Sequence, residues 1–252
     1  MSALKTLSTD AGRSLAYRQT AGTAPGVVFL GGLMSDMEGT KAVHLEAWAM
    51  AQGRAFLRFD YSGHGQSSGT FEEGCIGDWA EDALATITAL TRGPQVLVGS
   101  SMGGWVALLM AKRCPERIAG LVTIAAAPDF TEDSMWDGLS HAQKAELDRV
   151  GQIALPSDYD EPYIITKRMI EDGRHQLVLR EPLDLPFPVR FLQGTADSDV
   201  DMSVALRLLD HASGPDMRLT LVDGADHRFS DDTCLDLIVS AVEDIIARVS
   251  AG

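Results

Sequence analysis

The sequence predicts an α/β fold: a mostly parallel, twisted sheet flanked by helices, with a helical insertion. Three observations predict it. Short apolar runs alternate with amphipathic helical stretches over most of the 252 residues, the rhythm of parallel strands joined by crossover helices. The alternation is centred on Gly99-Ser100-Ser101-Met102-Gly103, a glycine-flanked serine between the apolar run Val96-Leu97-Val98 and an amphipathic stretch at residues 105–113. Between residues 129 and 187 the rhythm stops, then resumes at Val189.

Each element follows from its own pattern. Residues 4–8 and 14–19 read as a hairpin turned at Asp10-Ala11-Gly12. Residues 27–30 form a continuous apolar run, expected of a strand covered on both faces, and enter Gly31-Gly32-Leu33-Met34-Ser35-Asp36. A helix is expected at 40–52 and a strand at 55–59, running into the glycine-punctuated loop Asp60–Ser67. Asp78 and Glu81 have capping-box spacing and predict a helix from 78 to about 91, with Trp79, Ala83, Ile87 and Leu90 on one face. A strand at 118–125 follows the helix at 105–113. Helices are expected at 140–150 and 161–172, a strand at 189–192, a helix at 202–211 and a strand at 217–222. The last helix carries Leu235, Ile238, Val242, Ile245 and Val249 at helical spacing. Residues 1–128 and 188–252 therefore form one core, and residues 129–187 a helical lid, since that span is too long for a structureless loop.

Composition narrows the function classes. A net charge of −15 repels phosphate backbones, so no nucleic-acid partner is expected. No apolar run reaches membrane-spanning length. Cys75, Cys114 and Cys234 are far apart and form no C-x-x-C pattern, which suits a reducing compartment. No leader segment is read at residues 4–8, and the expected location is cytoplasmic.

The candidate chemistry starts at Ser101. A serine on a tight strand-to-helix turn is exposed at the carboxyl edge of the sheet, and the turn requires small residues two positions away on either side. Its hydroxyl needs a general base, and the base needs an acid to hold its tautomer. Of six histidines, His227 follows the strand at 217–222 and falls at the same sheet edge; His64, in another carboxyl-end loop, is its rival. His44, His141 and His211 lie in predicted helices, and His175 in the insertion. Asp197, Asp199 and Asp201 all follow the strand at 189–192; Asp197 comes first after the glycine turn and is preferred, with Asp129 as a further alternative. The order Ser101, Asp197, His227 matches one known arrangement of such triads. Oxyanion donors are expected at the backbone N–H groups of Met102 and Leu33. Gly32, Met34, Met135, Trp136, Tyr159, Tyr163 and Ile164 are candidate pocket residues, Trp105 a core residue. Lys167, Arg168 and Arg174 are candidates to meet a substrate carboxylate.

These motifs, with Gly194-x-x-Asp197-x-x-Val200, Asp60…Gly63-x-Gly65-x-Ser67 and Asp226-His227, resemble the α/β-hydrolase family. The segments LGGLMSDMEGTKA, LRFDYSGHGQSSG, QVLVGSSMGGW and GADHR are similar to its mitochondrial members and their bacterial relatives, although Gly31 stands where the animal proteins have proline. The resemblance implies a serine carboxylesterase or acyl thioesterase working without cofactor or metal. It also implies small-molecule esters or thioesters as substrates, with acylated proteins and acyl glucuronides among them, and a monomer or homodimer. The same triad serves C–C hydrolases and peptidases, and a non-catalytic receptor can retain the fold.

Overall fold

The computed structural model describes residues 2–155 and 163–250. The chain opens with β1 (Leu4–Ser8), β2 (Ser14–Thr20) and β3 (Thr23–Leu30), followed by α1 (Thr40–Ala51) and β4 (Arg54–Phe59). Then come α2 (Ile76–Leu90), β5 (Gln95–Ser100), α3 (Met102–Arg113) and β6 (Ile118–Ile124). The strands β1, β2, β4, β3, β5, β6 lie side by side in that order; β1 pairs antiparallel with β2 and β2 antiparallel with β4, and the rest are parallel.

Side-chain alternation along these strands explains why they read as unbroken apolar runs. Val28, Leu30, Leu57, Phe59 and Leu97 face one side and pack with Trp79, Ala83 and Ile87 of α2 and Trp105 and Leu108 of α3. Val27, Phe29, Phe56, Val96 and Val98 face the other, against Leu45 and Ala49 of α1 and, from the chain's last helix, Ile238, Val242 and Ile245. Helices on both faces leave no solvent side on which polar residues could alternate.

The insertion differs from its expected helical form. It holds a π-helical stretch at Thr131–Trp136, α4 (His141–Val150), an antiparallel pair β7 (Gln152–Leu155) and β8 (Tyr163–Thr166), α5 (Lys167–His175) and the two-residue β9 (Leu183–Asp184). The helix expected at 161–172 thus begins only at Lys167. The run Ile164-Ile165-Thr166 is β-branched and suits a strand, and the Thr166 side chain accepts the Met169 amide at 3.2 Å, capping the helix that follows. The expected start of α2 is also corrected: Cys75 is its N-cap, with no side-chain cap hydrogen bond. Asp78 is drawn elsewhere, pairing with Arg168 at 2.7 Å and Arg13 at 3.5 Å.

The chain then returns to the sheet through β10 (Val189–Gly194), α6 (Met202–His211), the short β11 (Ala212–Ser213) beside β9, β12 (Met217–Val222) and α7 (Asp232–Ser250). Parallel β10 and β12 complete the eight-stranded sheet next to β6.

One polar pair is sealed in this core. Arg58 on β4 and Glu46 on α1, 0% and 2% exposed, meet at 2.8 Å. Burial pushes the Glu46 carboxyl upward, but hydrogen bonds from Ser2 and Arg58 outweigh it and hold it below its ordinary value of 4.5. A carboxyl depressed by folding stabilises the fold above its unfolded value, and that contribution is lost as pH falls through the folded one. Arg58→Met removes the cation from the buried Glu46 carboxylate, leaving it the Ser2 and Thr20 hydrogen bonds on Oε1 alone, and should cost about 3 kcal/mol. Urea titration at pH 7 should show this loss, and pairing it with Glu46→Leu should recover part of it.

Candidate active site

Ser101 sits where β5 turns into α3, with φ 54° and ψ −119°. The turn is tight enough to dictate its neighbours. A Cβ at Gly99 would lie 2.3 Å from the Gly103 carbonyl oxygen, and one at Gly103 would lie 2.1 Å from that of Leu30. Backbone bonds pin the conformation: the Ser101 amide donates to the Ile124 carbonyl at 2.9 Å, and the Ser101 carbonyl accepts from Gly104 at 2.9 Å and Ala127 at 3.2 Å. Met102 is the first residue of α3, so its amide has no carbonyl within the helix to bind. The loop after β3 comes close alongside, since a Cβ at Gly32 would be 3.4 Å from that of Ser101.

His227 reaches this serine from the loop after β12. Its Nε2 is 3.1 Å from Ser101 Oγ, and its Nδ1 is 2.9 and 3.1 Å from the two Asp197 oxygens. The loop is tied to the one after β10: the Ala196 amide donates to the Ala225 carbonyl, and Gly224 to the Thr195 hydroxyl. Asp226 accepts the Phe229 amide at 3.0 Å, and buried Phe229 anchors the segment.

The Asp197 carboxylate is fully buried and all its acceptor positions are used. Oδ1 also accepts the amides of Asp199 and Val200 at 2.9 and 2.8 Å, and Oδ2 also accepts Gln193 Nε2 at 2.9 Å. Burial drives this carboxyl upward, but the bonds from His227 and the two amides together outweigh it, and the net shift is down. It stays ionised beside the imidazole.

The other expected acids and bases fall elsewhere. Asp129 is buried and accepts the amides of Val178 and Leu179 and the Arg180 guanidinium, so it clasps the two ends of the insertion together. His64 is 5% exposed, its Nδ1 near the Ser62 carbonyl and its ring edge-on to Tyr61, Phe71 and Trp79. Asp201 caps α6. Asp199 lies with one oxygen 4.0 Å from His227 Nε2.

A cavity of about 960 Å³ opens over Ser101 and His227. Gly32, Leu33, Met102, Met135 and Tyr163 line it. Met34 and Trp136 do not. Met34, at φ 54°, is 51% exposed, and the Trp136 ring is covered by Lys144 and Arg174 at 4.9 and 4.5 Å from its centroid. Ile164 does not line it either, Tyr159 lies outside the described residues, and Trp105 is buried core. Phe130, Leu179, Val200 and Val204 line the cavity but were missed from sequence. Only the positions of Phe130 after β6 and of Val200 and Val204 after β10 could have signalled them; Leu179, between α5 and β9, carried no such signal. The three cations suggested for a substrate carboxylate are occupied: Lys167 by Asp148, Arg168 by Asp78 and Arg174 by Glu132.

Strain gathers around the same cavity. Among the described residues, the non-glycine positions with positive φ are Met34, Ser101, Ala125, Asp129 and Phe229, each in a loop after a parallel strand that ends at this edge. Each such conformation costs about 1–3 kcal/mol and persists only where surrounding contacts over-determine it. No group of three or more His, Cys, Asp or Glu among the described residues could hold a metal ion.

Comparison with known proteins agrees with this geometry. Residues 25–167, more than half of the chain, match the family model Hydrolase_4, described as serine aminopeptidase, S33. The mitochondrial palmitoyl-protein thioesterase ABHD10 of Rattus norvegicus is 36% identical over 94% of this chain and 80% of its own length; that of Homo sapiens is 35% identical over 94% and 78%. Among solved structures, mouse alpha/beta hydrolase domain-containing protein 10 superposes with a TM-score of 0.91 at 33% identity, covering 98% of this chain and all of that one. A putative hydrolase from Agrobacterium vitis S4 superposes at 0.92 with 38% identity, covering 98% of both chains.

The two thioesterases are mitochondrial by name, which overturns the cytoplasmic location expected from sequence. Unpaired cysteines separate reducing from oxidising compartments and do not distinguish one reducing compartment from another. With its eight-stranded sheet, its serine elbow and these relatives, the chain belongs to the serine aminopeptidase S33 family of α/β hydrolases.

Proposed function

We propose that the protein hydrolyses carboxylic esters or thioesters by two-step acyl transfer, with Ser101 as nucleophile, His227 as general base and acid, and Asp197 as its orienting partner. The observation that carries this reading is the imidazole held between two groups: Nε2 at 3.1 Å from Ser101 Oγ and Nδ1 at 2.9 Å from Asp197. Nδ1–H donates to Asp197, which leaves the Nε2 lone pair facing the hydroxyl. The relatives named as thioesterases support the substrate bond.

In the first step Ser101 Oγ bonds to the substrate carbonyl carbon while its proton passes to His227 Nε2. The backbone amides of Met102 and Leu33, both residues of the cavity lining, stabilise the oxyanion. The tetrahedral adduct collapses by breaking the bond to the leaving oxygen or sulfur, which takes the proton from Nε2. Water then attacks the acyl-Ser101 carbonyl, gives its proton to Nε2, and the acid departs as that proton returns to Ser101. The segment 129–187 acts as the lid of the acyl site, since Phe130, Met135, Tyr163 and Leu179 supply much of the cavity's apolar wall. Methionine there suits acyl chains of varied shape.

A fluorophosphonate probe should label Ser101 stoichiometrically, with the adduct located by peptide mass, and the unlabelled protein should turn over p-nitrophenyl butyrate and an S-butyryl thioester. Labelling without turnover of either would indicate a binding protein that keeps the fold. Turnover of aminopeptidase substrates alone would move the assignment to the chemistry in the family model's name.

A further inference from the structure

The two loops that meet at Ser101 start far apart in the sheet. β3, whose loop carries Leu33, borders β5 on one side; β12, whose loop carries His227, stands three strands away on the other. The first loop is held along its length. The Ser35 amide donates to the Gly32 carbonyl at 3.3 Å, and the amide of buried Met37 donates to Asp60 Oδ1 at 2.7 Å. The second loop is tied ahead of His227, through Gly224 and Ala225, to the loop after β10. Beyond His227, one hydrogen bond among the described residues reaches residues 228–230 from another element. It comes from Lys41, in the first turn of α1, whose ammonium donates to the Arg228 carbonyl. That carbonyl belongs to the peptide leading into Phe229, whose φ of 50° persists only with outside support.

Helix stability would not put a lysine at this position. The first turn is the positive end of the helix dipole, where a cation is unfavourable, and α1 has neither an acidic residue there nor a side-chain cap to offset it. The Lys41 side chain is half-buried, and no carboxylate among the described residues pairs with it. Burial draws its ammonium below the ordinary value of 10.5; Asp226 opposes that shift and Arg228 adds to it. A cation kept against both costs, in the lining of the cavity over Ser101, is a local conflict of the kind that functional sites retain.

We infer that Lys41 is a positioning residue, joining the helix that follows the Leu33 loop to the backbone beside His227 and so fixing the imidazole against Ser101. The inference rests on the acyl-transfer reading above and adds a residue on which its geometry depends. The contact to be held is His227 Nε2 at 3.1 Å from Ser101 Oγ, and a displacement of about 1 Å would break it and cost on the order of 100-fold in rate. A charged donor suits the task, because a charge-assisted bond to a carbonyl is about twice as strong as a neutral one.

Lys41→Ala should lower kcat for p-nitrophenyl butyrate about 10- to 100-fold with KM within about twofold of the parent, and slow fluorophosphonate labelling by the same factor. Ethylammonium added to this variant should restore kcat several-fold; tetramethylammonium at the same ionic strength, a cation with no N–H, should not. Lys41→Arg, which can still donate to the carbonyl, should keep more kcat than Lys41→Met, which keeps only the apolar stem; this pair carries the comparison if the alanine variant folds poorly by urea titration. Parental kcat in Lys41→Met, a loss confined to KM, or a loss that neither ethylammonium nor arginine relieves overturns the positioning role and leaves acyl transfer standing. A wild type that neither takes the probe nor hydrolyses the ester overturns acyl transfer itself.

Discussion

Ser101→Ala is expected to lower kcat for p-nitrophenyl butyrate by about 10⁴- to 10⁶-fold, the scale on which removal of one triad member disables the others. The loss is chemical and not structural. Among the described residues the Ser101 side chain has one hydrogen-bond partner, His227, whereas the backbone bonds that hold the turn come from its amide and carbonyl. Alanine keeps both and meets the same positive φ, so stability by urea titration should stay within about 0.5 kcal/mol of the parent. A variant that still hydrolyses the ester at a substantial fraction of the parental rate would remove Ser101 from the mechanism.

Asp197→Asn should cost nearly as much, about 10⁴-fold in kcat, through the tautomer of His227. The existing hydrogen bonds force this outcome. Oδ1 accepts two backbone amides, which an amide NH₂ in that position would oppose. The side-chain oxygen of the variant must therefore occupy the Oδ1 position, which puts its NH₂ where Oδ2 now faces His227 Nδ1 and Gln193 Nε2. An NH₂ facing Nδ1 donates to it and moves the ring proton to Nε2, so the lone pair needed by Ser101 disappears. Gln193 then faces a donor, which adds a stability loss of about 1–3 kcal/mol. Fluorophosphonate labelling should slow in parallel with kcat, because both need the same base; unchanged labelling would assign another role to Asp197.

The core architecture was legible in the sequence because its signal is local. A strand covered on both faces must be apolar at successive positions, as at residues 27–30, and the tight strand-to-helix turn at Ser101 cannot accept side chains at Gly99 or Gly103. The insertion was less legible for the same reason turned around. Its strands β7 and β8 have four residues each, too short for periodicity to separate them from a helical turn, and they exist because they pair with each other. Asp78 shows the limit of a capping signal: its spacing from Glu81 suits an N-cap, but arginines from distant segments take its oxygens.

The sequence by itself determined the sheet, the tight turn at Ser101 and the edge at which Ser101, Asp197 and His227 meet, since strand direction and glycine sterics follow from neighbouring residues. Only the tertiary structure decided which carboxylate takes Nδ1, which one is left beside Nε2, and which side chains line the cavity. Asp197, Asp199 and Asp201 sit two residues apart on one loop, and Leu33 and Met34 are adjacent; along the chain they are near-equivalents. They are separated by the direction in which a folded backbone points each side chain, and by which distant donor reaches it first.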